Sequence, residues 1–285
     1  MPGSIAALRM KRFFLDANIY NHISDAEVIR VKNSIIADQI EVLTTPQVLA
    51  ELVGTFKKDR NRGIKLCSLY AELISNNVLQ PPPILMKTEV SSLLNGNRSP
   101  VFYLQGENKT EFFGYVEKFR NGNLDLYTEQ FISRMIIQKK EQLKFAKLGF
   151  SNVEPHIVKD LLKKYATFDG FLKEGIKRGE RLKEIEKYVV NYLGKKTHKA
   201  AKFIEKRLYK TPHLAIALRI VPALTYYYHV QKNKPKHGDI FDCGYFVCLA
   251  AADGFVSDDE GARDLFRIVC PNKECLSLNN FISLL

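Results

Sequence analysis

Paired cysteines are the first thing this chain does without. Cys67, Cys243, Cys248, Cys270 and Cys275 contain no CxxC pair and are odd in number. A disulfide framework has no support, and the five read as reduced interior residues of a cytosolic protein. Cys270 and Cys275 lie close enough to suggest half a zinc site, but no second pair or suitable histidine follows them. A secretory signal is also missing, because MPGSIAALRM is too short and has no cleavage pattern. The longest apolar run, LAIALRIVPALTYYYHV at 214–230, is interrupted by Arg219 and Pro222 and is short for a membrane span. It predicts a buried or bent helix packed against the core or a neighbouring lobe. These absences together predict a cytoplasmic protein that does not enter a membrane.

What is present is a core-forming sequence with a localised charge excess. An apolar fraction of 46% over 285 residues is too high for a disordered chain and supports one large domain or a compact domain with an insertion. The net charge of +12 is concentrated in residues 131–210, which hold 21 Lys and Arg against 9 Asp and Glu, so the rest of the chain is balanced. A surplus confined to one block points to an anionic partner, most simply a phosphate backbone. A solvated lysine-rich bundle is the plain alternative. Anionic membrane is disfavoured, since the block lacks a long helix with one clean apolar face.

The two ends of the chain share a rhythm. KRFFLD at 11–16 reads as a strand ending in Asp16, and EVLTT at 41–45 as a second strand. Thr45 and Pro46 then supply a helix cap and a proline at the first helical position. A further helix is expected over 63–77, with the prolines at 81–83 closing the unit. Residues 84–130 are turn-rich and hard to assign, whereas 131–210 is helical and basic, with Gly194 marking a break. Thr211 and Pro212 mark another helix start, and KNKPKHGD at 232–239 reads as a loop. From 239 onward the pattern is buried helix, strand GFVSD, helix EGARDLFRIV, strand ECLSL and a short final helix. Alternation at both ends predicts an α/β fold with a parallel sheet assembled from both termini. The expected division is 1–83 and 236–285 for the sheet domain and 84–235 for a mainly helical basic insertion.

Sites on open parallel sheets form at the carboxyl ends of strands, where strand order reverses. Asp16 ends the first strand, and Asp258 with Asp259 ends GFVSD. Glu51 lies within the helix that follows the second strand, and Asp239 and Asp242 sit three apart at a helix start, where Asp239 also suits a cap. Carboxylates that converge repel one another unless a cation lies between them. Mg²⁺ or Mn²⁺ accepts such hard oxygen ligands and retains sites for water and phosphate oxygens. No Ser/His/Asp arrangement competes with this reading.

FFLDANIY at 13–20, AEL at 50–52, DIFD at 239–242 and FVSDD at 255–259 resemble, in order, the motifs of PIN-domain nucleases, and ECLSLNNFISLL resembles that fold's ending. The similarity covers roughly 11–80 and 236–285 and leaves the middle unmatched. It implies a three-layer α/β/α sandwich around a parallel sheet, and a metal-dependent endoribonuclease using Mg²⁺ or Mn²⁺. Carried residue by residue, it assigns the catalytic acids to Asp16, Glu51, Asp242 and Asp259, with Asp239 and Asp258 as further metal ligands. Asn18 and Ser257 fall where ligand-orienting groups stand, and Lys236, His237 and Lys234 are placed to contact phosphate. PIN domains include toxins of toxin–antitoxin pairs, which brings in an inhibitory protein or a second copy of the chain as partners besides RNA. Small toxins are about half this length, so the insertion sets the chain apart from them.

Three alternatives stand beside this one. The first is a non-catalytic RNA-binding module on a PIN-like fold, and the second a structure-selective DNA nuclease. The third, a small-substrate phosphatase, is disfavoured because no small anion needs so large a basic block. Phe145, Phe150, Tyr165, Phe168, Phe171, Tyr188, Tyr192 and Tyr209, interspersed with the lysines, are expected to serve mostly as core, with some stacking on bases.

Overall fold

A computed structural model describes residues 9–96, 100–125, 128–130, 133, 137, 167–175, 178–194, 198–231 and 239–285. Asp239 and Asp242 are described as helical backbone only. Lys234, Lys236 and His237 lie outside the described residues, as do the helix expected near Pro155 and the loop at 232–238.

The sheet has four parallel strands, β1 (Lys11–Leu15), β2 (Ile40–Leu43), β3 (Gly254–Val256) and β4 (Glu274–Leu276), in the order β2-β1-β3-β4. Two strands from each end of the chain build it, as the alternation predicts. Chain passes from β1 to β2 through α1 (Ile19–His22) and α2 (Asp25–Ile36), and from β3 to β4 through the helix Glu260–Val269. These crossovers run in opposite directions along the sheet, so the right-handed connection that parallel strands favour would place the two connecting helices on opposite faces. The edge strand β4 is only partly covered, whereas strands β2 and β3 and the second half of β1 are buried, with Phe13, Phe14, Leu15, Val42, Phe255 and Val256 at 1% exposure or less. That explains their continuous apolar runs.

After β2 come α3 (Pro46–Val53) and α4 (Arg60–Leu73). Helix α4 begins three residues before the expected start because Asp59 caps it, accepting the Arg62 N–H at 3.0 Å. The prolines at 81–83 open an element instead of closing one. Pro82 takes the first position of α5 (Pro82–Asn95), where its fixed φ and missing N–H cost nothing. Just before it, Val78 and Leu79 form isolated bridges to Thr44 and Tyr103. The turn-rich stretch after 84 is therefore largely helical, with α6 (Gly106–Arg120) laid against α4 through Phe112, Val116 and Phe119, which join the main core.

The basic region supplies α7 (Phe168–Gly175), α8 (Arg178–Leu193) and α9 (His198–Glu205), with Gly194 in the left-handed conformation at the expected break. Next come α10 (Pro212–Thr225) and a π-helical turn, Tyr226–Val230. A second apolar cluster, including Met86, Val90, Ile185, Val189, Ala201, Ile204 and Leu214, joins α5, α8, α9 and α10. It meets the sheet domain through α11 (Asp239–Cys248), which contributes Val247. Glu89 of α5 is buried at the start of α10, accepting the N–H groups of His213 and Leu214 at 3.1 Å and bonding His213 Nδ1 at 2.6 Å. A carboxylate there caps orphan amides and complements the helix dipole. The chain ends with α12 (Glu260–Val269) and α13 (Leu278–Leu284). Among the described residues no helix is long and apolar enough to cross a membrane.

Candidate acidic site at the strand ends

Strand order reverses between β1 and β3, whose last residues Leu15 and Val256 are register partners. The carboxyl ends of these strands border the crevice where open α/β sheets bind ligands. Asp16 leaves β1 with its N–H still donating to Val256 O at 2.9 Å, and Ser257 leaves β3 donating to Leu276 O at 3.0 Å. Residues 241 positions apart are thus fixed side by side by ladder hydrogen bonds.

The Ser257 hydroxyl is the centre of the site. It donates to Asp16 Oδ2 at 2.7 Å and accepts from Asn18 Nδ2 at 3.0 Å and from the Asp259 N–H at 3.1 Å. One donor and two acceptor places are all filled, which fixes the hydroxyl's orientation. Asn18 returns the link by accepting the Asp258 N–H at 3.3 Å, while Arg263 Nη1 holds the Ser257 carbonyl at 2.7 Å. The strand tips are tied by side chains as well as by the sheet.

Asp16 is only 7% exposed. Its carboxyl is raised from 3.8 to about 7, chiefly by burial and in addition by the negative charges of Glu51 and Asp259, against the opposing pull of the Ser257 hydrogen bond. Removing water from a carboxylate and placing two more nearby both favour the protonated form. Below it, Tyr20 is raised above its ordinary range by burial first and by the Asp16 charge second.

The expected site residues divide into groups. Asp16, Asn18, Ser257 and Asp259 are linked by hydrogen bonds, and Glu51, half-buried on α3, joins them through its field at Asp16. Asp259 also caps α12, its Oδ1 accepting the Ala262 N–H at 3.1 Å. Asp258 is engaged elsewhere: its Oδ1 accepts the Leu278 N–H at 2.9 Å and its Oδ2 lies 3.2 Å from His22 Nδ1. It helps to fasten the start of α13 to the β3 tip. The backbone of Asp242 lies one turn into α11, but its side chain, like that of Asp239, is not described. Among the described residues no three His, Cys, Asp or Glu side chains gather closely enough to hold an ion.

His22 and Arg263 escaped sequence reasoning. Arg263 follows Asp259 by four residues, so the first turn of α12 brings it back to the strand tip. His22 had no local signal, because its partner is 236 residues away.

Asp16, Glu51 and Asp259 carry carboxylate oxygens, the hard donor type that a divalent ion accepts, and their charges crowd a buried carboxyl, but among the described residues they do not gather closely enough to hold an ion. No family model, curated protein or solved structure matches the chain.

Proposed function

We propose that this chain is a PIN-like, divalent-metal-dependent nuclease that hydrolyses RNA phosphodiesters. One observation carries the reading: the buried Asp16, raised to about 7 by desolvation and by Glu51 and Asp259, sits on the Ser257 hydroxyl at the sheet's reversal point. Asp16, Glu51 and Asp259, with Asp242 from α11, would hold Mg²⁺ or Mn²⁺. Such an ion, when bound, lowers the pKa of water and stabilises charge on a phosphoryl oxygen. The chain's own groups do the rest. Ser257 and Asn18 hold Asp16 and the Asp259 backbone in register, so that the carboxylates do not have to be organised when substrate arrives. Water as the nucleophile excludes a 2′,3′-cyclic product, and the PIN-like reading implies that the 3′-oxygen leaves, which would give a 5′-phosphate and a 3′-hydroxyl.

A second reading is an RNA-binding module of the same fold without turnover. It keeps the basic block and needs no ion, and among the described residues no three ligands gather closely enough to hold one. Labelled single-stranded RNA, duplex RNA and single-stranded DNA, each incubated with Mn²⁺ or with chelator, separate the two. RNA cutting that disappears with chelator and with Asp16→Asn supports the nuclease. Salt-sensitive binding without cutting by the parent protein supports the module, and cutting of DNA alone refutes both.

A further inference from the structure

Helix α9 and the turn after it carry a surface that the acidic site does not use. Lys199, Lys202 and Phe203 share one face of α9, Lys206 continues their i, i+3, i+4, i+7 spacing one residue past its end, and all four are exposed. The opposite face, through Ala201 and Ile204, is buried in the second apolar cluster. Phe203 therefore sits at 38% exposure amid lysines, although a buried face lies on the same helix. Beyond the helix, Tyr209 is 77% exposed. The Arg207 guanidinium covers the Phe203 ring at 3.9 Å, and Lys210 Nζ lies 5.7 Å from the Tyr209 ring.

The neighbouring acids do not neutralise this face. Glu205 turns inward to Arg181 at 3.3 Å, and Glu186 pairs with His198. Among the described residues none of Lys199, Lys202, Lys206, Arg207 and Lys210 forms an ion pair with a carboxylate. Lys202 and Lys206, the latter one residue past the end of α9, stand four apart, a spacing at which like charges repel. An anionic partner would relieve that repulsion, and the two rings specify which anion. Alternating phosphates and flat bases match cations interleaved with exposed aromatic faces, whereas a duplex hides its base faces. An acidic protein would make no use of two cation-covered rings, and a membrane would need a continuous apolar face.

We infer that the outer face of α9 and the Leu208–Lys210 turn form a docking surface for single-stranded nucleic acid, with Phe203 and Tyr209 stacking on bases and the flanking Lys and Arg side chains holding phosphates. The inference shares the RNA reading given above but does not require the acidic site to cut.

Fluorescence anisotropy on the full chain in EDTA tests it, with a labelled 15-nucleotide single strand and a duplex of the same length as probes. The single strand should bind more tightly. Tyr209→Ala and Phe203→Leu should each weaken it at least about fivefold, while Tyr209→Phe should not. Lys202→Gln with Lys206→Gln should flatten the dependence of log affinity on log salt by about 1.4, the loss of two phosphate contacts. Unchanged affinity and salt slope in these variants would overturn the assignment. So would tighter binding of polyglutamate or of phosphatidylserine vesicles than of the strand. Circular dichroism melts should match the parent, since every altered side chain is on the surface. Cutting of the same strand in Mn²⁺ is scored separately. Binding that needs Tyr209 without any cutting sinks the nuclease and keeps the surface, and cutting that ignores all these variants does the reverse.

Discussion

Asp16→Asn should make the metal-free protein more stable at pH 8, although it removes a central residue of the proposed site. The ionised carboxyl is penalised in the fold because its pKa rises from 3.8 to about 7, a difference equivalent to about 4 kcal/mol. Between these values the folded chain retains a proton that the unfolded chain has released. Stability is therefore full below about pH 4 and falls as pH rises through 7. Asparagine escapes this loss. Its Oδ1 can still accept from Ser257, and the changed amide group costs about 1 kcal/mol in hydrogen bonding. The expected gain is about 3 kcal/mol at pH 8 and less than about 1 kcal/mol at pH 5. Urea denaturation followed by circular dichroism in EDTA measures both, and the pH 8 value corresponds to a melting shift of roughly 6 °C. Mn²⁺ should then stabilise the parent and leave the variant unmoved. A stability difference that is the same at both pH values, or a variant weaker than the parent at pH 8, would refute the burial and charge-crowding argument.

Three further outcomes are expected. Ser257→Ala strands the Asn18 amide and the Asp259 N–H while removing the donor to Asp16; denaturant unfolding should show a loss of about 1–3 kcal/mol. Glu89→Ala leaves two helix-start amides and the buried His213 ring without their acceptor, so a loss of about 3–5 kcal/mol is expected, with Glu89→Gln recovering part of it in the same assay. Gly254→Ala would put its Cβ 2.7 Å from Phe13 Cε1 and 3.2 Å from Glu274 Cβ. Overpacking between three strands should cost about 1–3 kcal/mol by thermal melting, whereas Gly194→Ala meets no neighbouring atom and should cost about 1–2 kcal/mol through its left-handed backbone alone.

Much of the fold was legible because it is written in local patterns. The strands at 11–15 and 254–256 are short apolar runs ending in acids, and the helix at 260–269 is framed by its Asp259 cap and its apolar spacing. The sequence failed where one residue type has two local uses. Proline can end an element or begin one, and at 81–83 the bridges from Val78 and Leu79 set the chain's direction so that Pro82 starts α5. Phe168 and Phe171 proved to be core with Tyr226, whereas Tyr209 stands in solvent. Composition alone does not separate such rings, since burial depends on which neighbours arrive.

By itself the sequence determined the alternation of elements, the parallel sheet drawn from both ends, the basic block and the acids that terminate strands, because each follows from the periodicity or chemistry of adjacent residues. Only the tertiary structure decided that Asp16 and Asp259 share one hydroxyl, that Asp258 instead fastens α13, and that Glu89 closes a helix 124 residues away. Those outcomes depend on strand order and on distances between remote segments. Hydrogen bonds and desolvation act through space, so a carboxylate's neighbours along the chain say little about the field it will feel once folded.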